Sequence, residues 1–258
     1  MLLFLISVLG GFLSGFVGLG GAVVISPLLL LLPPVFGFEE IPMRAVAGLS
    51  MMQVFFGSVS GTIVHRANKF INNHVFLYVG IPLAVSALIG SYISKFLSHF
   101  SVMVMFDFFI ILSFILLIKE KKQINDEASS KEMKFHKGFS VLLGTITGII
   151  SGIIGAGGGI IMIPAFLKIF KLSFKTAIGT SLAIVFMGSF FGAIGKIISL
   201  QVDYKMALPI IIGSVIAARF GAKVNKITPQ KVIRVFLLFI ILLSILQVSF
   251  KIFAEFQK

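Results

Sequence analysis

The chain has 258 residues, 58% of them hydrophobic and only 12% charged, with 22 Lys and Arg against 9 Asp and Glu. Soluble domains contain about 25% charged residues, and a soluble fold of this length could not hide so much apolar surface from water, which excludes a soluble globular protein. The net charge of +13 does not indicate nucleic acid, because the basic residues fall in short loops beside apolar segments, where they set membrane orientation and meet anionic lipid.

In chain order, each half of the sequence contains four hydrophobic segments that are candidate membrane helices. The segments are 2–32, 44–65, 74–94 and 102–118 in the first half, and 138–168, 175–197, 206–224 and 231–250 in the second. Residues 119–137 are polar and lack apolar periodicity, which is typical of a linker. We therefore predict an all-α integral membrane protein, with a transmembrane repeat at 1–118, a cytoplasmic linker at 119–137 and a second repeat at 138–258.

The leading segment of each half is too long and too rich in glycine for one straight membrane helix. Its 31 residues would extend about 46 Å, against about 30 Å of hydrocarbon, and glycine is unfavourable inside a helix. The segment is therefore expected to break at its glycines, and then either to cross the membrane discontinuously or to fold back as a re-entrant hairpin.

The charge distribution favours the hairpin. If both leading segments cross, the basic residues divide 12 to 10 between the two sides, whereas two hairpins give 16 to 6, which the positive-inside rule prefers. Each half then has three spanning helices. The halves are consequently inverted, related by a pseudo-twofold axis in the membrane plane, with both termini outside the cytoplasm.

Two blocks of sequence recur in both halves. The segment SGFVGLGGA at 14–22 matches SGIIGAGGG at 151–159 with a spacing of 137 residues. A second block, spaced by 131, matches Gly48-Leu49-Ser50 with Gly179-Thr180-Ser181. Such an internal duplication is the usual ground plan of secondary transporters.

This doubled pattern resembles the TauE/SafE sulfite exporter family of membrane permeases, over nearly the whole chain outside the linker. The resemblance implies a cell-membrane transporter of sulfite, sulfonates or related small organic anions, although the pattern does not specify which one. Ala22 and Leu49 depart from the pattern, so the second repeat is the safer place to carry over a site.

The glycine runs predict an anion site, because a helix that restarts after them points its amides and positive dipole end into the break. Neighbouring hydroxyls and one amide would add hydrogen bonds without a buried charge. The predicted substrate-binding residues are Gly20, Gly21, Gly157, Gly158, Gly159, Ser14, Ser151, Ser50, Thr180, Ser181 and Gln53. The alternatives are close helix packing for the glycines, bonds to their own helix for the hydroxyls and an interhelical bond for Gln53.

Few charges lie inside the predicted membrane segments. Asp107 is a candidate proton carrier, with pairing to Lys95 or a position at the interface as the alternatives, and Lys196 is expected to extend to the membrane surface. The sequence predicts no metal site, no cofactor and no catalytic motif, so an enzyme is not expected. A small anion and the lipid bilayer are the expected partners. A passive anion channel and a non-transporting membrane scaffold are the alternative functions.

Overall fold

The computed structural model describes residues 1–18, 20–119 and 136–256, with Ile160 described by its backbone alone. These residues form α-helices joined by short loops. The helices are α1 (Leu2–Val17), α2 (Ala22–Val35), α3 (Met43–Ala67), α4 (Asn73–Ile93), α5 (His99–Lys119), α6 (Lys137–Ile154), α7 (Gly159–Lys168), α8 (Phe174–Ile198), α9 (Tyr204–Ile227) and α10 (Gln230–Phe256). The predicted linker, apart from Lys119, His136 and Lys137, lies outside the described residues.

Polar side chains fix where three of the helices begin. Asn72 Oδ1 accepts a hydrogen bond from the Val75 amide (3.1 Å) at the start of α4. Ser173 and Asp203 do the same at the starts of α8 and α9. Such caps satisfy amides that have no partner within the helix, so these three boundaries follow from the local sequence.

Seven of the described helices are long and apolar enough to cross a membrane: α3, α4, α5, α6, α8, α9 and α10. Helices α1 and α2, with 16 and 14 residues, are shorter. The most hydrophobic windows of α3 and α8 are 67% and 72% buried, against 39% for α5 and 33% for α10. Helices α3 and α8 therefore form the centre of the bundle, and α5 and α10 lie at its periphery. The prediction of an all-helical membrane protein is confirmed.

The central helices run antiparallel and pack closely. A Cβ added to Gly61 of α3 would lie 2.6 Å from Leu182 of α8, and one added to Gly192 of α8 would lie 2.6 Å from Met51 of α3. Around them α1 packs along α9 and α6 packs along α4. By position in the two halves, α1 corresponds to α6 and α9 corresponds to α4. The α1–α9 pair and the α6–α4 pair are therefore equivalent contacts.

Glycine permits the close approach of the outer pairs. A Cβ on Gly15 of α1 would overlap the carbonyl oxygen of Ala218 in α9, and one on Gly152 of α6 would overlap that of Ala87 in α4. Gly15 and Gly152 are 137 residues apart, and Ala87 and Ala218 are 131 apart, which are the two spacings of the sequence repeat.

Polar contacts join helix ends and neighbouring segments at each end of the bundle. At one end the Arg44 guanidinium donates to the Lys95 carbonyl (3.0 Å), and Lys251 pairs with Glu40 (3.0 Å). At the other end of the bundle, where α8 begins, the Lys175 ammonium donates to the Lys226 carbonyl (3.3 Å). Arg44 and Lys175 occupy matched positions, at the start of α3 and of α8 respectively.

Both ends of the first leading segment lie at the same end of the bundle. Residues Met1, Leu2 and Leu3 line a cavity of about 400 Å³ together with Pro33, Phe38, Glu39 and Ile41 from the end of α2 and the following loop. Met206 and Pro209 of α9 complete its wall. The start of α1 and the end of α2 therefore lie beside the same cavity.

Candidate functional site

Both leading segments are interrupted at their glycine runs. Helix α1 ends at Gly18, which has a positive φ of 79° and donates its amide to Ser14 O (3.0 Å). Helix α6 ends in the same way at Gly155, with φ 79° and a bond to Ser151 O (2.9 Å). This left-handed conformation favours glycine, so the sequence itself dictates where each helix stops. The predicted interruption is confirmed.

The two interruptions meet at the centre of the bundle. Gly20 and Gly157 both lie between Val54 of α3 and Val185 of α8, and an added Cβ on Gly20 would be 3.6 Å from the Ala156 carbonyl oxygen. Val54 and Val185 are each the twelfth residue of a 25-residue helix. The breaks are thus half way along the two central helices, which is where broken helices of transporters hold their substrates.

The first break faces a buried polar cluster. The Gln53 amide of α3 lies against Gly21, whose added Cβ would be 2.7 Å from Gln53 Nε2. A Cβ on Gly57 would lie 3.4 Å from Ser14 Oγ and 3.6 Å from Gln53 Nε2, so the two side chains share one space. Both residues are fully buried, and Ser14 Oγ, Gln53 Nε2 and Gln53 Oε1 have no hydrogen-bond partner among the described residues.

The second break has the same backbone but an apolar neighbour. A Cβ on Gly158 would lie 2.8 Å from Leu83 Cδ1, and Leu83 also fills the space beside Gly188. Ile184 stands where the 131-residue spacing places the counterpart of Gln53. Ser151 is buried, and its Oγ has no partner within the described ranges. Polar groups therefore collect at the first break, although the sequence made the second repeat the safer place for a site.

The remaining predicted hydroxyls already have hydrogen-bond partners. Ser50 Oγ lies 2.8 Å from Ser26 Oγ of α2, and Ser181 Oγ lies 3.0 Å from the Gly18 carbonyl, so each links a central helix to a leading segment. Thr180 Oγ1 accepts the Asn72 amide at 2.9 Å and thereby anchors the loop before α4.

Asp107 lies in α5 and faces α10. It is 7% exposed, and Ser249 Oγ donates to its Oδ2 at 2.9 Å, whereas Oδ1 has no partner among the residues that the structure describes. The alternative pairing with Lys95 is absent, since the Lys95 ammonium sits 3.7 Å above the Tyr92 ring.

The expectation that Lys196 extends to the membrane surface is wrong. Its side chain is fully buried, and Nζ donates to Ser94 Oγ (2.7 Å), Gln201 Oε1 (2.9 Å) and the Ile153 carbonyl (3.1 Å) at the end of α6. A cation is favourable at the C-terminal end of a helix dipole.

At the end of α1, Asn225 Nδ2 donates to the Phe16 carbonyl (2.6 Å), and the buried His65 ring lies 3.4 Å from Gly15 O. His65 and Lys196 are 131 residues apart, and that spacing was the signal in the sequence that could have identified them as a pair.

The buried polar side-chain atoms that lie beside the two breaks without a hydrogen-bond partner among the described residues belong to Ser14, Ser151 and Gln53. Within residues 1–18, 20–119 and 136–256 there is no cluster of three or more His, Asp or Glu side chains that could hold a metal ion. What the arrangement offers instead is neutral: helix amides, two hydroxyls and one carboxamide.

These features define a multi-spanning helical membrane protein with two broken helices meeting at its centre, an architecture used by transporters. The chain belongs to the sulfite exporter TauE/SafE family, whose model matches residues 3–248.

Three relatives cover most of its length. It is 27% identical to the probable membrane transporter protein YunE of Bacillus subtilis over 90% of this chain and 91% of that protein. It is 29% identical to YdhB of the same species, over 91% of this chain and 94% of the relative. A probable membrane transporter protein of Methanocaldococcus jannaschii is 29% identical over 89% of this chain and 88% of its own. No solved structure matches the chain.

Proposed function

We propose that this protein is a secondary transporter of the cell membrane that carries small anions such as sulfite, sulfonates or related organic anions. The observation that carries the proposal is the meeting of the two glycine breaks half way along α3 and α8, beside buried polar groups that have no protein partner among the described residues. Helices α2 and α7 restart there, and the first amides of a helix have no partner within it. Together with the positive end of the dipole they attract an anion.

The glycine backbone and the polar side chains of the proposed site would have different roles in binding the anion. Glycine lets an anion approach the main chain at Gly20 and Gly21, while Gly157, Gly158 and Gly159 form the second break, which meets the first. Ser14 and Gln53 would donate directly to the anion. Ser50, Thr180 and Ser181 already hold the leading segments or the loop before α4, so they would act by exchanging partners when the breaks move.

The mechanism would be alternating access between two inverted, re-entrant halves. Three observations support this arrangement. Helices α3 and α8 are antiparallel, the helix pairs correspond when the halves are exchanged, and both ends of the first leading segment reach one cavity. A rocking motion of one half against the other would then open the central site to each side in turn.

Asp107 is the proposed proton carrier. A carboxylate inside a membrane helix is costly and is usually functional. Its partner, Ser249, is neutral, and Oδ1 is unpaired among the described residues, so a proton could be taken up without breaking an ion pair.

Flux measurements in proteoliposomes test the function. Labelled sulfite or sulfonate should enter with saturable kinetics, and excess unlabelled sulfite should compete with it, whereas protein-free vesicles give the background. Flux that does not saturate and that is far above transporter turnover would identify a channel. No uptake of any of these anions above background would contradict the proposal.

A further inference from the structure

We propose that the transported anion is held at the first break alone, against Ser14 and Gln53, and that the second break is its sealed counterpart. This inference rests on the proposed function and assigns the site to one half of a duplicated framework.

The first argument is the unpaired polar groups. A polar atom that is buried without a hydrogen bond is unfavourable, and it is more so in a membrane interior, where water is scarce. Gln53 has both amide atoms in this state at the middle of α3, and Ser14 Oγ is unpaired beside it, among the described residues. A bound ligand would remove that cost for all three atoms at once.

The second argument comes from comparing the two breaks at matched positions. Gly21 and Gly57 face the Gln53 amide and the Ser14 hydroxyl, whereas their counterparts Gly158 and Gly188 face Leu83. The second break therefore has the glycine backbone but lacks the amide, and a leucine side chain packs against it.

The residue that corresponds to Leu83 on the other side is small and polar. The 131-residue spacing places Ser214 of α9 there, and its hydroxyl donates to the Ile211 carbonyl of its own helix at 2.9 Å. A leucine thus packs against the second break, whereas the corresponding residue in the other half is a serine that bonds to its own helix.

The cluster also defines the chemistry of its ligand. Ser14 Oγ, Gln53 Nε2 and the first amides of α2 are donors, and Gln53 Oε1 is an acceptor. The residues of the cluster carry no charge. Such a site suits a single negative charge on an anion that also has a hydrogen-bond donor of its own, such as a hydroxyl, an ammonium or an acidic proton.

The experiment compares matched substitutions in the purified full-length protein. Ser14→Ala and Ser151→Ala remove hydroxyls at equivalent positions, and both hydroxyls are buried and unpaired within the described residues. Binding of sulfite, ethanesulfonate and 2-hydroxyethanesulfonate is measured by calorimetry. We expect Ser14→Ala to weaken binding about tenfold, the value of one hydrogen bond to a charged group, and Ser151→Ala to leave it unchanged.

A second pair of variants separates binding from folding. Gln53→Leu should weaken binding about 10- to 100-fold and make 2-hydroxyethanesulfonate no better than ethanesulfonate. It should also leave the melting temperature of the ligand-free protein unchanged or higher, because an unpaired polar group has been removed. Ile184→Leu is the control at the second break and should alter neither property.

The outcomes distinguish the two proposals. If the protein binds and transports but Ser14→Ala and Ser151→Ala weaken binding equally, the one-sided site is wrong and the transport function stands. A lower melting temperature for ligand-free Gln53→Leu would show that the amide is structural, and would overturn the assignment. If the wild-type protein neither binds nor transports any of the three anions, the proposed function fails and this inference fails with it.

Discussion

Substituting Gly155 by alanine tests how tightly the second break is packed. Gly155 has φ 79°, and an added Cβ would lie 2.6 Å from Ala47 Cα and 2.7 Å from Ala47 C in α3. A left-handed conformation costs an alanine about 1–2 kcal/mol, and overpacking a buried contact adds about 1–3 kcal/mol. We therefore expect Gly155→Ala to lower the free energy of unfolding by about 2–5 kcal/mol.

Gly37 supplies the matched control. It has nearly the same backbone angle, φ 78°, but no atom lies within 4 Å of an added Cβ, so Gly37→Ala should cost only the conformational penalty of about 1–2 kcal/mol. The chain has no Trp, so thermal unfolding in detergent is followed by circular dichroism. Gly155→Ala should melt below Gly37→Ala, by about 2–4 °C for each additional kcal/mol. Equal melting temperatures would refute the close contact between the end of α6 and α3.

Further predictions concern the buried charges and a bond to α2. Lys196→Ala should lower the free energy of unfolding by about 2 kcal/mol or more through lost bonds and a cavity, while the exposed Lys205→Ala should change it little; equal melting curves would contradict this. Asp107→Asn should abolish uptake driven by a proton gradient but keep exchange of labelled for unlabelled anion, and gradient-driven uptake at the wild-type rate would exclude Asp107 as the carrier. Ser244→Ala removes the bond to the Val23 carbonyl at 2.7 Å, so it should cost about 1 kcal/mol in the same unfolding assay; an unchanged melting temperature would count against that bond.

The helices and their interruptions could be predicted from the sequence because local chemistry determines them. A run of glycines after Ser14 and again after Ser151 cannot continue a helix in lipid without cost, and both helices end there. The inverted, re-entrant arrangement was predicted from loop charges and stays a proposal, now supported by the position of Met1 beside Glu39.

The composition of the site could not be predicted, because it depends on contacts between residues far apart in the chain. Nothing near Leu83 in the sequence indicates that it fills the space beside Gly158, and nothing near Gln53 indicates that its amide meets Gly21. Lys196 was misjudged for the same reason. Its position near the end of α8 is typical of a side chain that reaches the membrane surface, but its partners Ser94 and Ile153 come from other helices.

Thiol labelling at Ser14 tests the central claim most directly, since the natural chain has no cysteine and a single one can be introduced. Ser14→Cys places a thiol of similar size at the first break, which a membrane-impermeant reagent can probe from either side of oriented vesicles. We predict modification from both sides, in proportion to the two access states, and protection by a transported anion. A thiol that reacts from neither side, or whose modification the anion does not change, would contradict a central site with alternating access.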